Sequence, residues 1–226
     1  MNTNERISVL IPTYNCGKYI AECIESALAQ VVSAEMEIII VDDGSTDDTR
    51  EVCSRYPCVK YIYQHNQGVA VARNHLLQEA TGDYVAFLDA DDIWIAGKLE
   101  AQIAYLREHP ECAYVGCDIQ DFQENIPSPP YKKTGNAVHY LIPSMIRRTA
   151  ILQTGWFDET LRVGEDTDYI IRMRNKNVGL PHVIPEVYLL RRIRGASNLT
   201  QKNPNMARDL AALLRKGIRE KKRGDV

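Results

Sequence analysis

The sequence predicts an α/β fold in which a mostly parallel sheet, covered by helices on both faces, leads into a smaller mixed half and a helical tail. Three observations point there. Short runs rich in β-branched residues, such as Ile7-Ser8-Val9-Leu10-Ile11, alternate with stretches of helical periodicity. Those runs are largely apolar, as strands buried on both faces are. Past Trp94 the alternation gives way to a less regular pattern.

Taken in order, the first strand spans 7–11 and stops at Pro12, which donates no ladder hydrogen bond. Residues 17–30 set Ile20, Cys23, Ile24, Ala27 and Leu28 at helical spacing, and 36–41 is a second strand. The unit repeats with a helix over 46–55 capped by Ser45 or Thr46, a strand over 59–63, a helix over 69–80 and a strand over 84–88. In the second half, 98–108 reads as helix, 113–122 as strand and 123–135, rich in proline and polar residues, as an exposed loop. A short helix over 148–154 closes at Gly155, and another opens at Glu165 or Asp166 and runs to 177. Two short strands, 180–184 and 187–190, precede the tail. The expected organisation is one domain over 1–190, with halves at 1–97 and 98–190, followed by a tail over 191–226.

Of the 226 residues, 45% are hydrophobic and 25% charged, which excludes disordered, collagenous and fibrous classes. No run approaches the roughly 18 apolar residues of a membrane span, and Pro12 interrupts the apolar start, so a cytoplasmic protein is expected. The six cysteines form no CxxC pair and read as reduced, mostly core thiols, while Asn198-Leu199-Thr200 reads as a chance sequon. Residues 1–190 carry 16 basic against 27 acidic groups, a net of −11, whereas 191–226 carry 11 against 3, a net of +8. An acidic body is no nucleic-acid binder. In the tail, Met206, Leu210, Leu213, Leu214 and Ile218 share one helical face beside many basic residues. Such a helix packs on the acidic body or a second copy of the chain, or lies on an anionic membrane.

Ligands of parallel sheets bind beyond the carboxyl ends of the strands, and here those ends hold five carboxylates: Asp42, Asp43, Asp89, Asp91 and Asp92. Asp89-Ala90-Asp91 offers two carboxylates to one hard divalent cation, Mn2+ or Mg2+, of the kind shared with a diphosphate; the alternative is an acidic loop capping the next helix. Asp42-Asp43-Gly44-Ser45 is a turn, or a carboxylate that accepts from a base or ribose. The loop after the first strand, Pro12-Thr13-Tyr14-Asn15, lacks GxGxxG, which argues against a dinucleotide site, and offers the Tyr14 ring for stacking. Arg73, inside a helix, is either solvated or set to orient an aspartate or meet a phosphate. Gly164-Glu165-Asp166 places two acids at a helix N-terminus, more than capping needs, so one is a candidate general base.

In combination these segments, Ser8–Asn15, Val41–Asp47, Gly68–Asn74, Gly82–Asp92, Gly155–Glu159 and Gly164–Asp166, resemble the inverting family 2 glycosyltransferases of the GT-A fold. The resemblance covers about residues 6–200 and rests on the order of the motifs. It implies a Rossmann-like nucleotide-sugar-binding half over 1–97 and an acceptor half over 98–190. Pro12, Thr13 and Tyr14 would hold the base, with Asp43 accepting from it and Asp42 supporting the loop. Arg73 would steady the pyrophosphate side, Ala90 would line the donor site, and Asp89 and Asp91 would form the D-x-D, with Asp91 the direct metal ligand. Asp166 would be the catalytic base, and Glu165 and Trp94 acceptor-side or orienting groups. The donor implied is a nucleoside diphosphate sugar, most simply a UDP-sugar, and the acceptor a saccharide or a lipid-linked sugar at the inner membrane face.

Two departures stand out. Arg194 occupies the place where the family often carries histidine, and an arginine clamps phosphate but does not ligate metal. The acceptor half has little beyond 123–136 from which to build a pocket, so partner contacts are one way to complete it. Two rival functions make discriminating demands. A sugar-1-phosphate nucleotidyltransferase would open with a basic Gly-rich loop in place of Tyr14-Asn15. A non-catalytic sugar-nucleotide or glycan-binding module would show a damaged carboxylate set, whereas Asp43, Asp91 and Asp166 all stand.

Overall fold

A computed structural model of the chain describes residues 5–124, 141–161 and 163–194. Most of the expected 123–135 loop, the sequon and the tail helix lie outside the described residues. Within them, eight strands form one sheet in the order β3-β2-β1-β4-β7-β6-β8-β5. The first four are β1 (Arg6–Thr13), β2 (Glu35–Asp42), β3 (Lys60–Tyr63) and β4 (Tyr84–Phe87), all parallel, with helices α1 (Ile20–Leu28), α2 (Thr49–Cys53) and α3 (Val69–Glu79) between them. The central strand β1 is buried from Ile7 to Thr13, in keeping with its largely apolar sequence.

The second half extends the same sheet. It holds β5 (Ile93–Trp94), α4 (Lys98–Glu108), β6 (Cys112–Phe122), β7 (Met145–Arg147), α5 (Arg148–Thr154), α6 (Glu165–Asn175) and β8 (Leu180–Arg192). β7 runs antiparallel to both β4 and β6, β8 parallel to β6, and β5 antiparallel to β8. β4 and β5 lie four strand positions apart, about 19 Å in a flat sheet. The five residues joining them include a turn in which the Asp92 N–H donates to the Asp89 carbonyl at 3.0 Å, so they do not span that distance extended. The sheet therefore curls, and the curl brings the end of β8 over the Asp89–Asp92 loop.

Three local expectations change. The cap of α2 is Asp48, because Ser45 and Thr46 are engaged elsewhere: the Asn15 N–H donates to Ser45 Oγ and the Thr46 N–H to Asn15 Oδ1, both at 2.8 Å. The two strands expected over 180–184 and 187–190 are one strand, β8, whose register against β6 shifts between Ile184 and Val187, where Pro185 supplies no N–H. β5 and β7 span only two and three residues, too short to show a period. All six cysteines are free thiols, and five of them are buried.

One buried charge sits far from the strand-end loops. Lys98 is fully enclosed, its Nζ donating to Gln102 Oε1 at 2.8 Å and standing 4.3 Å from the centre of the Trp94 ring. Gln102 in turn donates to the carbonyls of Val115 and Pro143, so the pair ties α4 to β6. Burial pushes the Lys98 ammonium down to about 8. An unfolded lysine keeps its proton to about 10.4, so between these values the folded chain binds fewer protons and its stability rises with pH. Below about pH 8 the folded chain carries the full penalty of the buried charge. Lys98→Met should therefore raise the melting temperature by about 3 °C or more at pH 7, and the gain should shrink by pH 9.5. Thermal unfolding at the two pH values checks this; a lower melting temperature at pH 7 would show that the ammonium is a net stabiliser.

Candidate active site

The parallel strands deliver three loops to one edge. After β2, Asp42 is enclosed and holds its own turn: Oδ1 accepts from the Ser45 N–H at 2.8 Å and Oδ2 from the Tyr61 hydroxyl at 2.6 Å. Burial and this bond raise the Tyr61 phenol well above its ordinary range. The turn uses Gly44 at φ +83°, where a Cβ would stand 2.7 Å from the Asn66 backbone nitrogen. Asp43 is also buried and accepts from Gln64 Nε2 at 2.8 Å, the Gln67 N–H at 2.9 Å and the Gly68 N–H at 2.8 Å. That leaves one of roughly four acceptor sites on its carboxylate for a ligand. Beside it Pro12 and Thr13 are buried, Thr13 Oγ1 has no partner among the described residues, and the Tyr14 ring is half exposed.

The loop after β4 carries the remaining three carboxylates in three states. Asp92 is buried and accepts from the Arg192 N–H at 2.9 Å; burial, with Asp89 and Asp91 nearby, pushes it well above the usual carboxylate range. Asp89 keeps 38% of its side-chain surface open and meets Arg73 Nη2 at 3.2 Å. Enclosure of the rest, together with the charges of Asp91, Asp166 and Glu165, outweighs the pull of Arg73 and raises its carboxyl. Asp91, 19% open, pairs with Arg194, whose Nε stands 2.5 Å from Oδ2. Ala90 between them is buried.

Arg73 carries the other side of the site. Its guanidinium is buried and pairs through Nη1 with Glu165 while Nη2 reaches Asp89, so one side chain of α3 spans from the β4 loop to the start of α6. The neighbouring Asn74 binds the same region, donating to the Phe157 carbonyl at 3.1 Å and Glu159 Oε1 at 2.8 Å and accepting from the Phe157 N–H at 2.8 Å. Gly164, at φ +81°, turns the chain into α6, so that Glu165 folds back onto Arg73 and Asp166 follows, half-buried. Asp166 Oδ1 accepts from the Thr167 N–H at 2.7 Å.

The donor set can be tested against a divalent cation. Among the described residues no group of three or more His, Cys, Asp or Glu side chains converges to hold a metal ion. Asp89 and Asp91 are the two partly open carboxylates of the edge, and the crowding that raises Asp89 is negative charge that a cation relieves. They fit a hard cation whose other ligands are phosphate oxygens and water.

Of the residues singled out in the sequence, Tyr14, Asp43, Arg73, Asp89, Asp91, Glu165, Asp166 and Arg194 border these loops. Trp94, two residues past Asp92, is buried, its ring against Lys98, and its Nε1 has no partner among the described residues. Sequence reasoning overlooked Arg192. Its Nε donates to the Asp91 carbonyl at 2.9 Å, Nη1 pairs with Glu124 at 2.9 Å and Nη2 with Glu22 at 2.5 Å. Its guanidinium lies between the Tyr19 and Phe122 rings, 4.7 and 4.6 Å from their centres. The signal was a charge continuing the apolar run Tyr188-Leu189-Leu190 into a strand, where arginine stays only if paired.

The family model described as glycosyl transferase family 2 matches residues 8–192, and the chain belongs to that family. An uncharacterized glycosyltransferase of Rickettsia bellii is 32% identical over 217 residues, covering 88% of this chain and 30% of its own length. The chain spans about a third of the length of such curated relatives. Residues 1–349 of S. aureus TarS in complex with UDP-GlcNAc superpose with a TM-score of 0.78 at 23% identity, over 95% of this chain and 66% of that one. The mannosyltransferase PcManGT of Pyrobaculum calidifontis, in complex with GDP-Man and Mn2+, gives 0.74 at 21% identity, over 96% and 65%. At these identities the likeness establishes the fold, which is GT-A.

Removing Arg73 would strand the Glu165 carboxylate without its partner in a dry position, and breaking a buried pair in this way costs about 3 kcal/mol or more. Arg73→Ala should lose that much in urea unfolding, and Arg73→Lys should recover only part, since one ammonium does not reproduce a fork that meets two carboxylates. Wild-type stability in Arg73→Ala would show that the pair does not hold α6.

Proposed function

We propose that the chain transfers a sugar from a nucleoside diphosphate, UDP being the simplest, to a hydroxyl acceptor with inversion at the anomeric carbon. The observation that carries this reading is the Arg73 bridge, which ties the D-x-D carboxylate Asp89 to the helix start that bears Asp166. A donor held at the first and an acceptor deprotonated at the second share one small volume. The complexes of TarS with UDP-GlcNAc and of PcManGT with GDP-Man and Mn2+ support a nucleotide-sugar donor.

In this reading Tyr14 stacks on the base and Asp43 uses its remaining acceptor site on it. Asp89 and Asp91 would hold Mn2+ or Mg2+, which when bound would supply positive charge against the negative charge developing on the departing diphosphate. Asp166 accepts the proton of the acceptor hydroxyl as that oxygen bonds to the anomeric carbon, while the bond from that carbon to the phosphate oxygen breaks with its electrons. Attack from the face opposite the leaving group inverts the centre in one displacement. Glu165, engaged by Arg73, orients this helix start and is not the base. The acceptor is read as a saccharide or lipid-linked sugar, and the site of action as the cytoplasm or its membrane face. No helix among the described residues is long and apolar enough to cross a membrane.

Calorimetry tests the donor assignment. UDP should bind the wild-type protein, and Mn2+ should tighten it at least about tenfold, an effect of ~1.4 kcal/mol. Asp91→Ala should abolish the Mn2+ contribution with an unchanged circular dichroism spectrum. Equal UDP affinity with and without Mn2+ in the wild type would overturn the metal assignment.

A further inference from the structure

We infer that Arg194 makes cation binding at Asp91 conditional on the nucleotide, by holding that carboxylate until a diphosphate arrives. The inference rests on the nucleotide-sugar reading and adds an order of events to it. Arg194 engages Asp91 Oδ2 through both Nε, at 2.5 Å, and Nη2. The guanidinium is seated: Nη2 also donates to Cys16 Sγ at 3.3 Å, and its carbon stands 4.9 Å from the centre of the Tyr19 ring. A divalent cation on the same oxygen would face this positive charge at a few ångströms in a partly enclosed site, so the two exclude one another.

The protein alone has little with which to win that exchange for the metal. No group of three or more ligating side chains converges among the described residues, and Asp89 is itself engaged by Arg73. A diphosphate changes both sides of the balance. It supplies the oxygens a hard cation lacks, and it offers the displaced guanidinium a bidentate anionic partner. The backbone is anchored for such an exchange: the Arg192 N–H is fixed on Asp92 and the Ile193 N–H on the Phe122 carbonyl at 2.8 Å. The side chain of Arg194 swings from carboxylate to phosphate without unpairing β8. Cation and nucleotide then bind cooperatively, each raising the affinity for the other by the same factor.

Electron paramagnetic resonance of free Mn2+ measures this without turnover. In nucleotide-free protein, Arg194→Gln should bind Mn2+ about tenfold more tightly than wild type, whereas Arg194→Lys, which keeps the charge, should stay close to wild type. Arg194→Gln should also bind UDP several-fold more weakly without metal, and the factor by which UDP tightens Mn2+ should shrink while staying above one, because the diphosphate oxygens still complete the cation's shell. Unchanged or weaker Mn2+ binding by Arg194→Gln in the absence of UDP overturns the inference. A wild-type protein that binds no UDP, with or without Mn2+, overturns the donor reading instead, while the nucleotide-free titration still decides whether Arg194 holds Asp91 against the cation.

Discussion

A single buried guanidinium holds the site in register. Arg73 lies on a helix of the parallel half, yet its two partners belong to the β4 loop and to the N-terminus of α6. The Glu165 carboxylate would not be tolerated so far from water without it, and the buried arginine would not be tolerated without its two acidic partners. Asn74 adds neutral hydrogen bonds to Phe157 and Glu159 one residue along. Two adjacent side chains of α3 thus tie Phe157, Glu159 and Glu165 to the parallel half. The curl of the sheet does the same from the other margin, where Arg192 pins the end of β8 to Asp91 and Asp92.

The acidic edge has a division of labour that composition conceals. Asp42, Asp43 and Asp92 are buried and accept from the chain itself, so they build loops. Asp89 and Asp91 are partly open and meet arginines, so side chains of the chain itself balance their charge. In the proposed reading the Arg194 pair at Asp91 is the one a diphosphate would replace, and such an exchange is cooperative when one ligand completes what the other lacks.

How much of this was legible in the sequence depends on the range of the interaction. The parallel half could be read because its strands are short, largely apolar runs rich in β-branched and aromatic residues that alternate with helical periods, both local properties. Helices α4 and α5 were placed at Lys98–Glu108 and Arg148–Thr154 for the same reason. β5 and β7 escaped because two or three residues become a strand only through a distant partner, Leu190 for Ile93 and Val85 for Ile146. The candidate site was legible as a set of residues and not as a set of contacts. Arg73 reads from the sequence as a group that orients an aspartate or meets a phosphate, and it does meet Asp89, but nothing local hints that Glu165, 92 positions away, closes on it as well. Arg192 went unread for a similar reason, its partners being Glu22, Asp91 and Glu124. Trp94 carried no sign that its ring would turn to Lys98 and the core.

In the proposed mechanism the strand-end loops bind the donor while the start of α6, held across from them by Arg73, performs the proton transfer. Steady-state turnover and UDP affinity of Asp166→Asn separate the two roles most directly. In Asp166→Asn, kcat should fall about a thousandfold or more, with the UDP Kd within about twofold of wild type, because the carboxylate acts on the reacting oxygen and not on the nucleotide. Near wild-type turnover, or a loss of UDP affinity as large as the loss of kcat, would contradict it.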